Sequence, residues 1–171
     1  MPKGLKQSSS TVAIGFSVIE TAANTFTQQQ VDLNLDPLNK EVFVVQAIDL
    51  DPVAPDMVLG ADTTVSGSFC TTSQTSVQNL SNSNCMANTV LQIRTDAGGQ
   101  PATAAFERQA RESPSSLLEY LGIIATNAFF IQIQGTNNLN ARGMSGKVYG
   151  YRAVADASIY AALVQSEVLS S

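Results

Sequence analysis

The chain has 171 residues, 44% of them hydrophobic and only 13% charged, with a formal net charge of −5 and neither histidine nor tryptophan. A length of this order favours one domain, large enough to bury most of the surface its unfolded form exposes. The missing histidine removes the side chain most used for proton transfer near neutral pH and a very common metal ligand, which excludes most acid–base enzymes and favours building or binding.

Polarity comes instead from Ser 18, Thr 14, Asn 11 and Gln 13, together 56 residues. Charge is unevenly placed. Residues 1–6 carry Lys3 and Lys6; residues 7–93 carry one base, Lys40, against eight acids; residues 94–171 are balanced. Two lysines neutralise little phosphate, so strong direct nucleic-acid binding is not expected. The N-terminus lacks the apolar core and small-residue cleavage site of a signal peptide, and no run approaches the 18 apolar residues of a membrane span.

In chain order the dominant period is two. Residues 11–20 (TVAIGFSVIE) place Val12, Ile14, Phe16 and Val18 on one face of a strand. Residues 25–35 alternate through Val31, Leu33 and Leu35, with a turn at residues 37–39. Residues 41–50 (EVFVVQAIDL) open with a continuous apolar run, Val42 to Val45, which predicts burial on both faces. Pro52 and Pro55 force a loop, and residues 63–72 form the next strand, with Val65 and Phe69 on one face. Residues 73–88 suit a Ser/Asn-rich loop with a short strand near Val77.

Residues 89–95 (TVLQIRT) are strand-like and closed by a turn at residues 96–99. Residues 102–112 hold helix formers without a breaker until Pro114, which predicts a helix. Residues 117–124 fit either state. Residues 127–135 (NAFFIQIQG) and 147–154 (KVYGYRAV) are strands, with an Asn-rich turn between. Residues 155–171 favour a helix capped by Asp156 with Ile159, Leu163 and Val164 inward, against a terminal strand or an arm laid on a neighbour. The sum is all-β: one antiparallel β-sandwich domain over residues 11–171, with one or two short helices, preceded by a flexible arm over residues 1–10.

Candidate chemistry is sparse. Asp49, Asp51, Asp56 and Asp62 surround the proline loop and are weak candidates for Ca²⁺, but their spacing matches no calcium loop and solvated, turn-capping carboxylates explain them as well. A carboxylate-only hydrolase is the third-ranked class, since aromatic platforms are few. No serine stands in an S-x-x-K arrangement with Lys40 or Lys147. No catalytic residue and no cofactor is expected. Cys70 and Cys85 fit either buried thiols or a cross-strand disulfide, and two thiols without histidine cannot complete a zinc site. Tyr149 and Tyr151 share one strand face and Arg152 the other, a candidate interface stripe, with an ordinary half-buried strand as the alternative.

The arm, the strand at residues 11–20, EVFVVQAIDLDP (41–52), the polar loop, NAFFIQIQG (127–135) and KVYGYRAVAD (147–156) together resemble the single jelly-roll capsid proteins of icosahedral viruses, particularly tailless dsDNA viruses. The resemblance implies eight strands in two facing sheets. It also implies a structural, non-enzymatic coat subunit, made in the host cytoplasm and resident in the virion. Its partners would be copies of itself, other capsid proteins and, since the arm is not basic, an internal membrane or proteins that neutralise the genome. The clasping segments would be residues 1–10 and 155–171, with Lys3, Lys6, Tyr149, Tyr151, Arg152, Ile159, Tyr160 and Leu163 at interfaces. The competing function is a carbohydrate- or receptor-binding sandwich, lectin-like or spike-like, using loops 71–88 and 136–146. Any pH switch would have to use carboxylates such as Asp49, Asp51 and Asp56.

Overall fold

The computed structural model describes residues 2–95, 103–109 and 118–169. Ten strands and one helix occur among them: β1 (Leu5–Gln7), β2 (Val12–Ile19), β3 (Thr27–Asp32), β4 (Glu41–Pro52), β5 (Thr63–Cys70), β6 (Cys85–Thr95), β7 (Thr103–Gln109), β8 (Gly122–Ile124), β9 (Ala128–Thr136), β10 (Gly143–Ala155) and α1 (Ala157–Leu169).

All pairings are antiparallel and form two sheets. Sheet A runs β2-β10-β4-β8, with β1 continuing the β2 edge along the far end of β10; sheet B runs β3-β9-β5-β6-β7. Strands β2, β3, β4 and β5 alternate between the sheets, β5 and β6 form a hairpin, and β8, β9 and β10 alternate again. This is the jelly-roll order, and it makes the protein an all-β sandwich.

The core lies between the sheets. Phe16, Phe69 and Phe129 meet at its centre, the last two stacked with ring centroids 4.6 Å apart. The alternation in β2 puts Phe16 and Val18 inward as expected and packs Ile14 partly against the core, whereas Val12 at the start of the strand is exposed. In β4 the parity changes. Phe43 and Val45 face the core, then a register shift admits one extra residue, Gln46, and Ile48 and Leu50 face it instead. A bulge of this kind lets one strand serve two patterns.

Val42 and Val44 point the other way, into a second apolar cluster with Leu5, Ala125, Tyr151, Ala153 and Ala155. Helix α1 covers that cluster through Ile159, Tyr160, Leu163 and Val164. The continuous run in β4 is therefore buried on both faces, one by the sandwich and one by the helix.

Three expectations are corrected. Residues 103–109 are strand β7, paired over its whole length with Thr89–Thr95 of β6, and tertiary pairing outweighs their helix propensity. The remainder of the expected 102–112 helix, its stop at Pro114 and the turn at residues 96–99 lie outside the described residues. The segment around Val77 is loop, not strand. The N-terminal arm is not free of the body: Leu5 is buried and Leu5–Gln7 pair with Ala153–Ala155. Gly4 makes this possible. Its φ is +78°, and a Cβ there would collide with Ile159 at the start of α1, while its carbonyl accepts the Asp156 N–H at 3.0 Å.

Candidate functional site

Among the described residues no group of three or more acids or thiols gathers into a metal-holding site, and the informative surfaces are the two ends of the sandwich and its two outer faces. At one end, the loops at residues 20–26, 53–62 and 137–142 are braced by buried polar groups. Glu20 is buried and accepts the N–H groups of Gly135 at 2.6 Å and Arg142 at 2.8 Å. The Asn138 side chain accepts the Asp56 N–H and donates to the Thr64 carbonyl, both at 2.8 Å. Asn24 closes the brace, its side chain accepting from the Asn138 N–H and donating to the Asn138 carbonyl. Asn24 and Asn137 have φ of 62° and 57°, a region that short amide residues enter more readily than others.

The Asp56 carboxylate accepts the N–H groups of Leu139 and Asn140 at 3.0 Å and pairs with Arg142 at 2.9 Å. Partial desolvation works against ionisation, but the Asn140 and Leu139 N–H groups and the Arg142 guanidinium outweigh it and hold Asp56 below the usual carboxylate range. Charge is thus consumed inside these loops. Beside exposed Thr21, Thr25, Asp62, Asn137 and Asn140, this end carries apolar side chains in the open: Val53, Met57, Leu59 and Leu139 of the loops and Ile19 at the end of β2 are all more than half exposed, Leu59 at 91%. Sequence reading missed this tip. Its signal was present in PVAPDMVLG (52–60), where apolar residues sit between prolines and a glycine with no strand or helix period to bury them.

At the other end, α1 is fastened by a carboxylate. Glu167, buried near the helix C-terminus, accepts the Ala125 N–H at 2.8 Å and the Thr126 N–H at 3.0 Å. Burial raises its pKa above the ordinary glutamate value, and the two N–H donors offset this only in part. Asn84 joins the same point, donating to the Thr72 hydroxyl and to the Glu167 carbonyl.

The outer face of sheet B, around the centre of β3, β9 and β5, is built of amides and hydroxyls: Gln28, Gln30, Ser66, Ser68, Gln132 and Gln134. Ser68 and Gln132 are fully buried there beneath the 71–84 loop. Ser68 donates to Gln132 at 2.7 Å and accepts the Gln78 N–H, while the Gln28 side-chain carbonyl accepts both the Gln132 amide and the Gln74 N–H. Beside this cover, Ser66, Asn88 and Gln134 line an open cavity of about 290 Å³.

The expected interface residues are distributed differently from one another. Lys3 and Lys6 are exposed and Tyr149 is half-buried. Tyr151 is buried beneath α1, and Ile159, Tyr160 and Leu163 are the α1 side chains that pack on its cluster. Arg152 reaches Glu41 at 3.0 Å and the carbonyls of Leu33 and Asn34, tying β10 to the end of β3. The four aspartates do not converge. Asp49 and Asp51 lie on β4 opposite Lys147 and Ser145, Asp56 pairs with Arg142, and Asp62 accepts the Thr95 N–H. Among the described residues no group of three or more acids or thiols is placed to hold a metal. Among the described residues the carboxylate with a raised pKa is Glu167, which spacing did not single out. Among the described residues no helix is long and apolar enough to cross a membrane.

No family model and no curated relative matches the chain. Among solved structures it is similar to a chain of turnip yellow mosaic virus, at 13% identity and a TM-score of 0.29 over 88% of this chain and 99% of that one. It is similar to a chain of desmodium yellow mottle tymovirus at 11% identity and a TM-score of 0.32, covering 92% and 96%. A third likeness, at 10% identity and a TM-score of 0.31, is to an empty head of turnip yellow mosaic virus, covering 91% and 88%. The class of the chain, an all-β jelly roll, rests on its strand order rather than on these likenesses.

Proposed function

We propose that the chain is a structural coat subunit, without enzymatic activity, that assembles with copies of itself into the closed icosahedral shell of a virion. The observation that carries this reading is the braced apolar loop end. Exposed apolar groups gathered in one region mark surfaces that are covered by a partner. Here the loops beneath them are stiffened by Glu20, Asn24, Asp56, Asn138 and Arg142, so little order has to be gained on contact. Identical patches repeated by rotation close on themselves, which lets many modest interfaces hold a shell. With Lys3 and Lys6 the only bases in the arm, the genome would be neutralised by other capsid proteins or an internal membrane.

Light scattering on the purified protein, with electron microscopy of the same sample, tests the reading. Closed particles or ring-shaped capsomers are expected, and Leu59→Glu together with Leu139→Glu should abolish them while leaving the melting transition in place. A monomer at every concentration would overturn it.

A second reading has one observation in its favour, the amide- and hydroxyl-lined cavity on sheet B, which suits a sugar-binding module. A small oligomer that binds glycans through Asn88 and Gln134 would favour it.

A further inference from the structure

Cys70 and Cys85 face each other across β5 and β6, where the register shifts between Phe69 and Cys70. The Thr71 N–H donates to the Asn84 carbonyl at 2.9 Å. A bond between those flanking residues makes the two cysteines a non-hydrogen-bonded pair, the position where facing Cα atoms come within about 4.5 Å. Disulfides bridge Cα separations of about 4.4–6.8 Å, so no strand has to move for the two sulfurs to join. Both residues are buried thiols. Cys70 is fully buried, whereas Cys85 keeps 7% exposure and lines a cavity of about 410 Å³ between the 71–84 loop, β8 and α1. The loop that starts at one cysteine and ends at the other covers the amide face of sheet B and reaches α1 through Asn84.

We propose that Cys70 and Cys85 form a reversible intrachain disulfide that locks the 71–84 loop when the chain meets an oxidant of the low-molecular-weight disulfide class. The more accessible Cys85, as thiolate, attacks one sulfur of the oxidant and expels one thiolate, leaving a mixed disulfide on Cys85. Cys70 then loses its proton and attacks the Cys85 sulfur, expelling the second half of the oxidant as a thiolate. Two S–H bonds are lost and one S–S bond forms in the protein, while the oxidant disulfide is reduced to two thiols. In the reduced pair the hydrogen bond with Cys85 and burial push the Cys70 thiol up; once Cys85 carries the mixed disulfide, burial still disfavours the Cys70 thiolate that must attack, so the closing rate rises with pH. The lock does not depend on what the chain assembles with.

Oxidised glutathione added to the reduced, folded protein, followed by alkylation and mass spectrometry, tests this. Expected are the loss of both free thiols, a mass lower by two hydrogens, slower cleavage within residues 71–84 by added protease, and a Tm raised by roughly 6–12 °C, as closing a loop of this size implies. Cys70→Ser should instead trap the glutathione adduct on Cys85. The wild-type result stands alone if that variant does not fold, with chain unfolded in denaturant as the control for reagent activity. Two thiols persisting in the folded protein while the unfolded control oxidises would overturn the proposal. So would a glutathione adduct that accumulates on the wild type without closing, or a disulfide that leaves Tm and cleavage unchanged.

Discussion

The outer faces of the two sheets are covered by opposite means. On sheet A, half of the face is apolar, and α1 lays Ile159, Tyr160, Leu163 and Val164 over Val42, Val44, Tyr151 and Ala153. Sheet B hides Ser68 and Gln132 under a loop held by side-chain amides and backbone N–H groups. The first cover is stabilised by removing apolar surface from water, at about 25 cal/mol per Å², and it has little directional demand. The second gains only about 1 kcal/mol net per hydrogen bond, but each buried partner left unmade costs about 1–3 kcal/mol. An apolar cover therefore degrades gradually with lost volume, whereas an amide cover depends on every partner being present. The abundance of Ser, Asn and Gln in residues 66–92 is in large part the fastening of one loop.

The contrast breaks most sharply at Val44. Val44→Asp places an unpaired carboxylate beneath α1, and a loss of about 3–5 kcal/mol is expected, as for other uncompensated buried charges. Urea unfolding would measure it, and protease cleavage near residue 156 would report release of the helix. Gln132→Leu keeps the size of the side chain but removes partners from both Ser68 and Gln28. It should cost about 1–3 kcal/mol and speed hydrogen exchange in the 71–84 loop without loosening α1. If the helix loosened equally, the two covers would not be separate devices.

The smallest effect is the pH dependence of the helix clasp. Because burial raises the Glu167 pKa, the folded protein binds this proton more tightly than the unfolded chain. The associated stability is complete below the ordinary glutamate pKa and is lost as pH rises through the raised value. Tm followed from acid to neutral pH should carry this downward component in the wild type and lose it in Glu167→Gln, whose side-chain carbonyl still accepts one of the two N–H groups. An unchanged profile would remove Glu167 as the titrating group.

Much of the fold was legible because the chemistry is periodic. Val12, Ile14, Phe16 and Val18 sit two apart, and β2 puts Phe16 and Val18 in the core as that spacing requires. The run Val42–Val45 correctly announced burial on both faces, and the Ala-rich C-terminal segment is the helix it favoured. The strand at residues 103–109 was not legible, since Ala, Glu, Gln and Arg are local helix formers and only the open edge of β6 makes them a strand. The tip residues were visible as apolar but not as neighbours. Loops at residues 53–62 and 137–142 meet because β4 and β10 pair, a contact spanning some ninety positions of sequence.

What the sequence alone determined is the class of strand-built, charge-poor, histidine-free domain and the side-chain alternation that puts its phenylalanines inside. Both follow from local rules: a period of two and the absence of a residue type. Only the tertiary structure decided which faces are covered, that Glu167 fastens the helix, that four aspartates remain apart, and that Cys70 meets Cys85. Those outcomes depend on long-range register, where one residue such as Gln46 reverses which side chains face the core.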